Sequence, residues 1–136
     1  MNKNLRALRL AAAPMAVAAA FLITATSPAS AWVHDGYLER FEFGLYWDDN
    51  SRGCVFDSNN DDDHLTDDTF TGPAGCGGRG KGVNDNTTSY NNSDIYGRYV
   101  YTDVNYGGIR GSIPAGYIGN ASSNYRNSIS SLRWYQ

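Results

Sequence analysis

The chain has 136 residues, with 11 basic and 14 acidic side chains and a formal net charge of −3. That balance argues against nucleic acid and anionic membrane surfaces as partners, because both need a basic face. Two histidines and two cysteines, without a C-x-x-C pair, leave little material for a thiolate or imidazole metal centre.

Residues 1–31 read as a secretory signal peptide. Lys3, Arg6 and Arg9 make a positive start, Leu10 to Ile23 is an alanine-rich apolar run, and Ala29-Ser30-Ala31 is an A-x-A cleavage site. The run is shorter than the ~20 residues a spanning helix needs. The remaining chain, Trp32 to Gln136, is expected as one secreted extracellular domain with no membrane contact. It holds 14 acidic and 8 basic residues, a net charge of −6, which favours solubility and attraction of cations.

Export places Cys54 and Cys76 in an oxidising compartment, and we read them as one disulfide. The alternative is two reduced thiols or half of a metal site. Trp32 to Glu42 forms a lead-in. From Phe41 onward, short aromatic-rich runs alternate with period 2 between Gly, Asn and Asp, as in Phe41, Phe43, Leu45 and in Tyr99, Tyr101. These runs predict strands, and no segment after Ala31 sustains a helical apolar period.

Two motifs recur. Tyr46-x-Asp48-x-Asn50-x-x-Gly53 and Tyr101-x-Asp103-x-Asn105-x-x-Gly108 share four identities at an offset of 55 residues. Each is followed by a six-residue polar run: Asn84-Asp85-Asn86-Thr87-Thr88-Ser89 and Arg126-Asn127-Ser128-Ile129-Ser130-Ser131. Read as N/D-N/D-x-x-S/T-S, the first matches throughout, and the second differs only at Arg126. Short polar residues of this kind bond their own backbone in turns, and their oxygens suit a hard cation. The chain therefore reads as one unit written twice, with an insertion in the first copy between Asp57 and Gly82. Two copies imply a pseudo-symmetric single domain rather than a solenoid.

Within the insertion, Asp57 to Asp68 is acidic. It has the carboxylate spacing of an EF-hand loop but lacks the turn glycine and the terminal glutamate, and it is expected as a solvated surface loop. Thr71 to Gly82 is glycine-rich, lacks the G-K-[ST] of a phosphate loop, and is expected as a connector.

The paired openings and paired polar loops resemble the βγ-crystallin fold, an all-β sandwich of two Greek-key motifs, over Phe41 to Trp134. Within that fold they look most like the secreted Streptomyces-type peptidase inhibitors, typified by a metalloproteinase inhibitor. The resemblance implies that the polar loops lie side by side and complete each other's calcium sites. Asn84, Asp85, Asn86 and Thr88 would serve from one loop, and Asn127, Ser128 and Ser130 from the other. Ser89 and Ser131 would hold the loops' shape. Arg126 sets a positive charge where the pattern has an oxygen donor, and Asp85 is the only carboxylate in either loop, so weak binding is expected.

No G-x-S-x-G or H-E-x-x-H pattern occurs, and no catalytic residues are assigned. The function implied by the resemblance is inhibition of an extracellular protease by a presented loop, from a monomeric protein. Arg79 and Lys81 in the segment Gly72 to Gly82 are the candidate contacts. The alternative is a calcium-binding module with a structural or adhesive role.

Overall fold

The computed structural model describes residues 33–135, and residues 1–31, read above as a signal peptide, lie outside the described residues. Seven strands occur: β1 (Phe43–Asp48), β2 (Arg52–Ser58), β3 (Ser89–Asn92), β4 (Gly97–Asp103), β5 (Gly107–Ile113), β6 (Ile118–Asn120) and β7 (Ser131–Tyr135). No helix occurs among the described residues. One antiparallel sheet has the order β2-β1-β3-β6, the other β5-β4-β7.

The repeat is visible in the register. Phe43 pairs with Ser58 and Tyr46 with Val55 in the first hairpin, as Arg98 pairs with Ile113 and Tyr101 with Arg110 in the second. Both hairpins shift register at the same point, before Asp48 and before Asp103. The turns that follow place Asn50, Ser51, Asn105 and Tyr106 at positive φ. Gly53 and Gly108 then take φ of 77° and 73°, a conformation that side chains with a Cβ rarely adopt. Tyr46 and Tyr101, which open the two motifs, are both buried.

Each unit lends its third segment to the other unit's sheet. In the second unit that segment is β6, paired with β3. In the first it is the acidic stretch, where Asp62 exchanges two 2.8 Å backbone bonds with Leu132 of β7. Leu65 N–H donates to the Ser130 carbonyl as Ala121 N–H donates to that of Thr88, both at 2.9 Å. The two sheets enclose Phe43, Leu45, Phe56, Leu65, Val100, Ile129 and Leu132.

This corrects the reading of Asp57 to Asp68 as a solvated loop. Leu65 is fully buried, and so is Asp57, whose carboxylate accepts the N–H groups of Asp35 and Gly36 at 3.1 and 2.8 Å. Asp57 thereby anchors the lead-in segment. The extra residues of the first unit follow Leu65, and they are not a loose connector. Residues 66–83 fold as a flap along the free edge of β2. Val55 and Thr71 exchange backbone bonds, Cys54 N–H donates to Gly77, and Phe70 and Val83 are fully buried. Covering an edge in this way removes a template for unwanted strand pairing. The Cys54–Cys76 disulfide closes the flap onto β2. Gly78 passes so near Trp47 that a Cβ there would lie 2.3 Å from the indole.

Desolvation raises two carboxyls strongly, that of the buried Glu42 and that of the half-buried Asp68. Glu42 is 1% exposed, and desolvation, reinforced by Glu39 and Asp57, pushes its carboxyl up from 4.5 to about 7. Desolvation and the neighbouring Asp62 push Asp68 up from 3.8 to about 7. A carboxyl whose folded pKa is raised favours folding below its unfolded value and loses that contribution as pH rises through the folded one. The urea midpoint should therefore be lower at pH 8 than at pH 5. Glu42→Gln should raise the pH 8 midpoint and shrink the difference; equilibrium denaturation of both proteins at the two pH values checks this.

Candidate functional site

The site is built where the two polar loops meet the two hairpin turns. Ser89 Oγ donates to the Asp48 carbonyl at 2.6 Å and accepts the Ser51 N–H at 2.9 Å. Ser131 Oγ does the same with the Asp103 carbonyl at 2.7 Å and the Tyr106 N–H at 3.0 Å. Only a hydroxyl can donate and accept from so small a side chain. The preceding residue is placed identically: Thr88 Oγ1 donates to Trp47 O at 2.9 Å, and Ser130 Oγ to Thr102 O at 3.0 Å.

The loops then bond across to each other. Asp85 N–H donates to Ile129 O at 3.2 Å and Asn127 N–H to Thr87 O at 2.8 Å. Asp85 and Asn127 take φ of 60° and 53°, a left-handed conformation that Asn and Asp tolerate better than most residues. The loops thus lie side by side, and each faces the other unit's hairpin.

The two resulting corners differ in charge. In one, Asp85 Oδ1 lies 3.2 Å from Ser130 Oγ, which in turn bonds the Thr102 carbonyl. Asn84 stands beside Asp85, its Nδ2 donating to Asp85 Oδ2 at 2.9 Å while its buried Oδ1 has no partner. In the other corner, Arg126 occupies the place equivalent to Asn84. Its guanidinium makes a two-pronged pair with Asp49, at 2.5 and 3.2 Å. This pairing holds the Asp49 carboxyl below the usual carboxylate range.

Of the seven residues expected as ligands, Asp85 and Ser130 come together, with Asn84 adjoining. Asn86 turns back, its Nδ2 donating to Gly82 O and Asn84 O at 2.9 and 3.2 Å. Ser128 Oγ donates to Arg126 O at 3.3 Å. Thr88 and Asn127 belong to the corner that Arg126 fills. Sequence reading missed Asp49 and the carbonyls of Trp47 and Thr102. An acidic pair at Asp48–Asp49 was visible, but nothing local shows that its partner lies 77 residues away. The candidate protease contacts, Arg79 and Lys81, lie exposed on the disulfide-bound flap.

Asp62, Asp63 and His64 bring three possible ligand atoms within 4.8 Å of one another. His64 instead pairs with Asp63 and Asp67, which raise its pKa.

No family model matches the sequence, and no curated protein matches it. Solved structures do. The chain is similar to one reported as "Evolution of the eye lens beta-gamma-crystallin domain fold", with a TM-score of 0.57 and 16% identity over 74% of this chain and 91% of that one. It is similar to a βγ-crystallin domain from Clostridium beijerinckii, with a TM-score of 0.53 and 16% identity over 69% of this chain and 97% of that one. A βγ-crystallin domain from Flavobacterium johnsoniae gives 0.52 and 19% over 68% and 92%. At these identities the likeness is one of fold: the chain adopts the βγ-crystallin fold. None of these similar structures is described as a peptidase inhibitor.

Ser89 and Ser131 are both fully buried, so removing either hydroxyl strands a turn N–H and a strand carbonyl. Ser131→Ala and Ser89→Ala should each destabilise the fold by about 1–3 kcal/mol, measured as the shift in free energy of urea unfolding.

Proposed function

We propose that this chain is a secreted calcium-binding βγ-crystallin module with one cation site, formed by Asp85, Ser130 and Asn84 with the Thr102 carbonyl. The observation that carries this reading is the approach of Asp85 Oδ1 to Ser130 Oγ at 3.2 Å, between loops 45 residues apart. Carboxylate, hydroxyl, amide and backbone oxygens are the donors a hard cation prefers. The unpartnered Asn84 Oδ1 is a further oxygen in that corner without a hydrogen to accept. The pseudo-equivalent corner does not fit a cation, because Arg126 already neutralises Asp49 there. Calcium there would join the two loops and stiffen the junction between the units. With one carboxylate the affinity would be ~10⁻⁴ to 10⁻³ M, as in weak extracellular modules.

Calorimetric titration should give a stoichiometry of one and a thermal midpoint that rises with calcium by mass action. Asp85→Asn, which tolerates the same backbone, should abolish the heat, and Arg126→Asp should add a second site. No heat at millimolar calcium, with an unchanged midpoint, would refute the proposal.

Inhibition of an extracellular protease is a second reading, favoured by the flap. Its disulfide lowers the cost of ordering a presented loop, and Arg79 and Lys81 stand exposed on it. Residual activity of metallo-, serine and cysteine proteases incubated with the protein tests it. Any inhibition found should weaken in the Arg79→Ala, Lys81→Ala double variant.

A further inference from the structure

A cavity of about 510 Å³ opens at the end of the β4–β7 pair where Gly97 meets Tyr135, with Phe41, Tyr96, Trp134 and Tyr135 among its walls and Asp94 and Asn59 as its polar groups. Its size and mixed lining fall in the range of small-molecule sites, about 300–1,000 Å³. The candidate calcium corner adjoins the opposite end of the same strand pair, where Tyr101 meets Ser131.

Three features of the cavity exceed what the fold needs. First, Asp94 is only 5% exposed, and one of its oxygens is unsatisfied. Oδ1 accepts the N–H groups of Ile95 and Tyr96 at 2.6 and 3.3 Å, whereas Oδ2 is buried without a partner. A buried acceptor left unmatched is costly, and a bound donor would remove the cost. Second, Phe41 takes a φ of 73°, an outlier for a bulky residue. It is held there by its N–H to Ser93 O at 3.1 Å and leaves its side chain 46% exposed. Backbone strain of this kind concentrates at functional sites. Third, Tyr96 is 51% exposed, and its ring stands at 90° to that of Trp134 with centroids 5.6 Å apart. The two rings form an angled apolar wall.

We infer that this cavity binds a neutral saccharide, whose C–H faces lie on the aromatic walls and whose hydroxyls donate to Asp94. An alkylammonium group is the other common occupant of an aromatic cage with a carboxylate. Arg98 decides between them. Its guanidinium carbon lies 3.3 Å from the Trp134 ring centroid, so an ammonium against that ring would meet a fixed positive charge behind it. Hydroxyl groups supply the donors without the charge.

The test is titration of the purified protein with chitohexaose and with cellohexaose to millimolar concentration, followed by heat and tryptophan fluorescence. At least one should bind saturably. Tyr96→Ala and Asp94→Asn should each weaken it at least tenfold. The first change is at an exposed side chain, and the second keeps an oxygen for the two N–H groups, so unchanged thermal midpoints would show both variants folded. Binding should persist in EDTA, which separates this site from the calcium corner. Failure of both sugars to bind, equal affinity in folded variants, or saturable binding of choline in their place would overturn the inference.

Discussion

The structure depends on two hydroxyls. Ser89 and Ser131 each bond a strand carbonyl and a turn N–H at the base of their own unit's hairpin. Each hairpin turn doubles back with two residues at positive φ, which leaves backbone groups that no ladder can satisfy. The serine satisfies them and so fixes the hairpin to the strand that ends the unit. Once that is done, Thr88 and Ser130 must lie against Trp47 O and Thr102 O. The loops before them must then meet across the pseudo-twofold, as the reciprocal bonds of Asp85 and Asn127 show. Site and fold are therefore built from the same bonds, and a substitution at either serine cannot disturb one without the other.

Against that shared frame the two units have diverged at equivalent positions. Arg98 stands in β4 where Phe43 stands in β1, and both are fully buried. The guanidinium satisfies two N–H groups on the carbonyls of Asn60 and Ser58, at 2.8 and 3.3 Å, and lays its face on Trp134. Burial still pushes its pKa down to about 10, against the pull of Asp94 and Asp61. The carbonyls it uses belong to the acidic stretch that crosses into the second sheet. Arg98 therefore holds that crossing in place, as the phenylalanine it replaces could not. At the loops, Arg126 stands where Asn84 stands, and one corner is closed by a tethered cation while the other keeps its oxygens free of one. Divergence has acted on charge while the backbone frame stayed the same.

What was legible in the sequence follows from the range of the forces involved. The turn chemistry of Asn50, Gly53, Asn105 and Gly108 is local, so the repeat, the strands and the all-β fold could be read directly. The paired serines could be read by type and by repetition, but not by partner: the resemblance has them hold the shape of their own loops, and each instead bonds a hairpin turn 25 to 41 residues earlier in the chain. The acidic stretch could not. Its composition says solvent, but Leu65 and the ladder bonds of Asp62 draw it into the sandwich, a tertiary effect that no window of residues carries. The glycine-rich segment likewise looked like a connector, because the partners of its backbone bonds and of its one cysteine lie on β2, far from it in sequence. In the candidate site, the loop residues were visible by type, but their division into an open corner and a closed one depends on Asp49, which no local pattern joins to Arg126.

The disposition of positive charge ties these points together. Arg40, Arg98, Arg110 and Arg133 lie over the rings of Phe41, Trp134, Tyr99 and Tyr101. Arg126 and Arg52 both turn to Asp49, one to its carboxylate and the other to its carbonyl. Six of the eight basic residues from Trp32 onward are thus engaged within the domain. The carboxylates of Asp61, Asp63, Asp67, Asp85 and Asp103 remain exposed. With 8 basic and 14 acidic residues from Trp32 onward, the long-range field is negative and favours the approach of cations. The flap is the exception, because Arg79 and Lys81 are both exposed on it. The two proposed activities therefore occupy parts of one small domain that differ in charge.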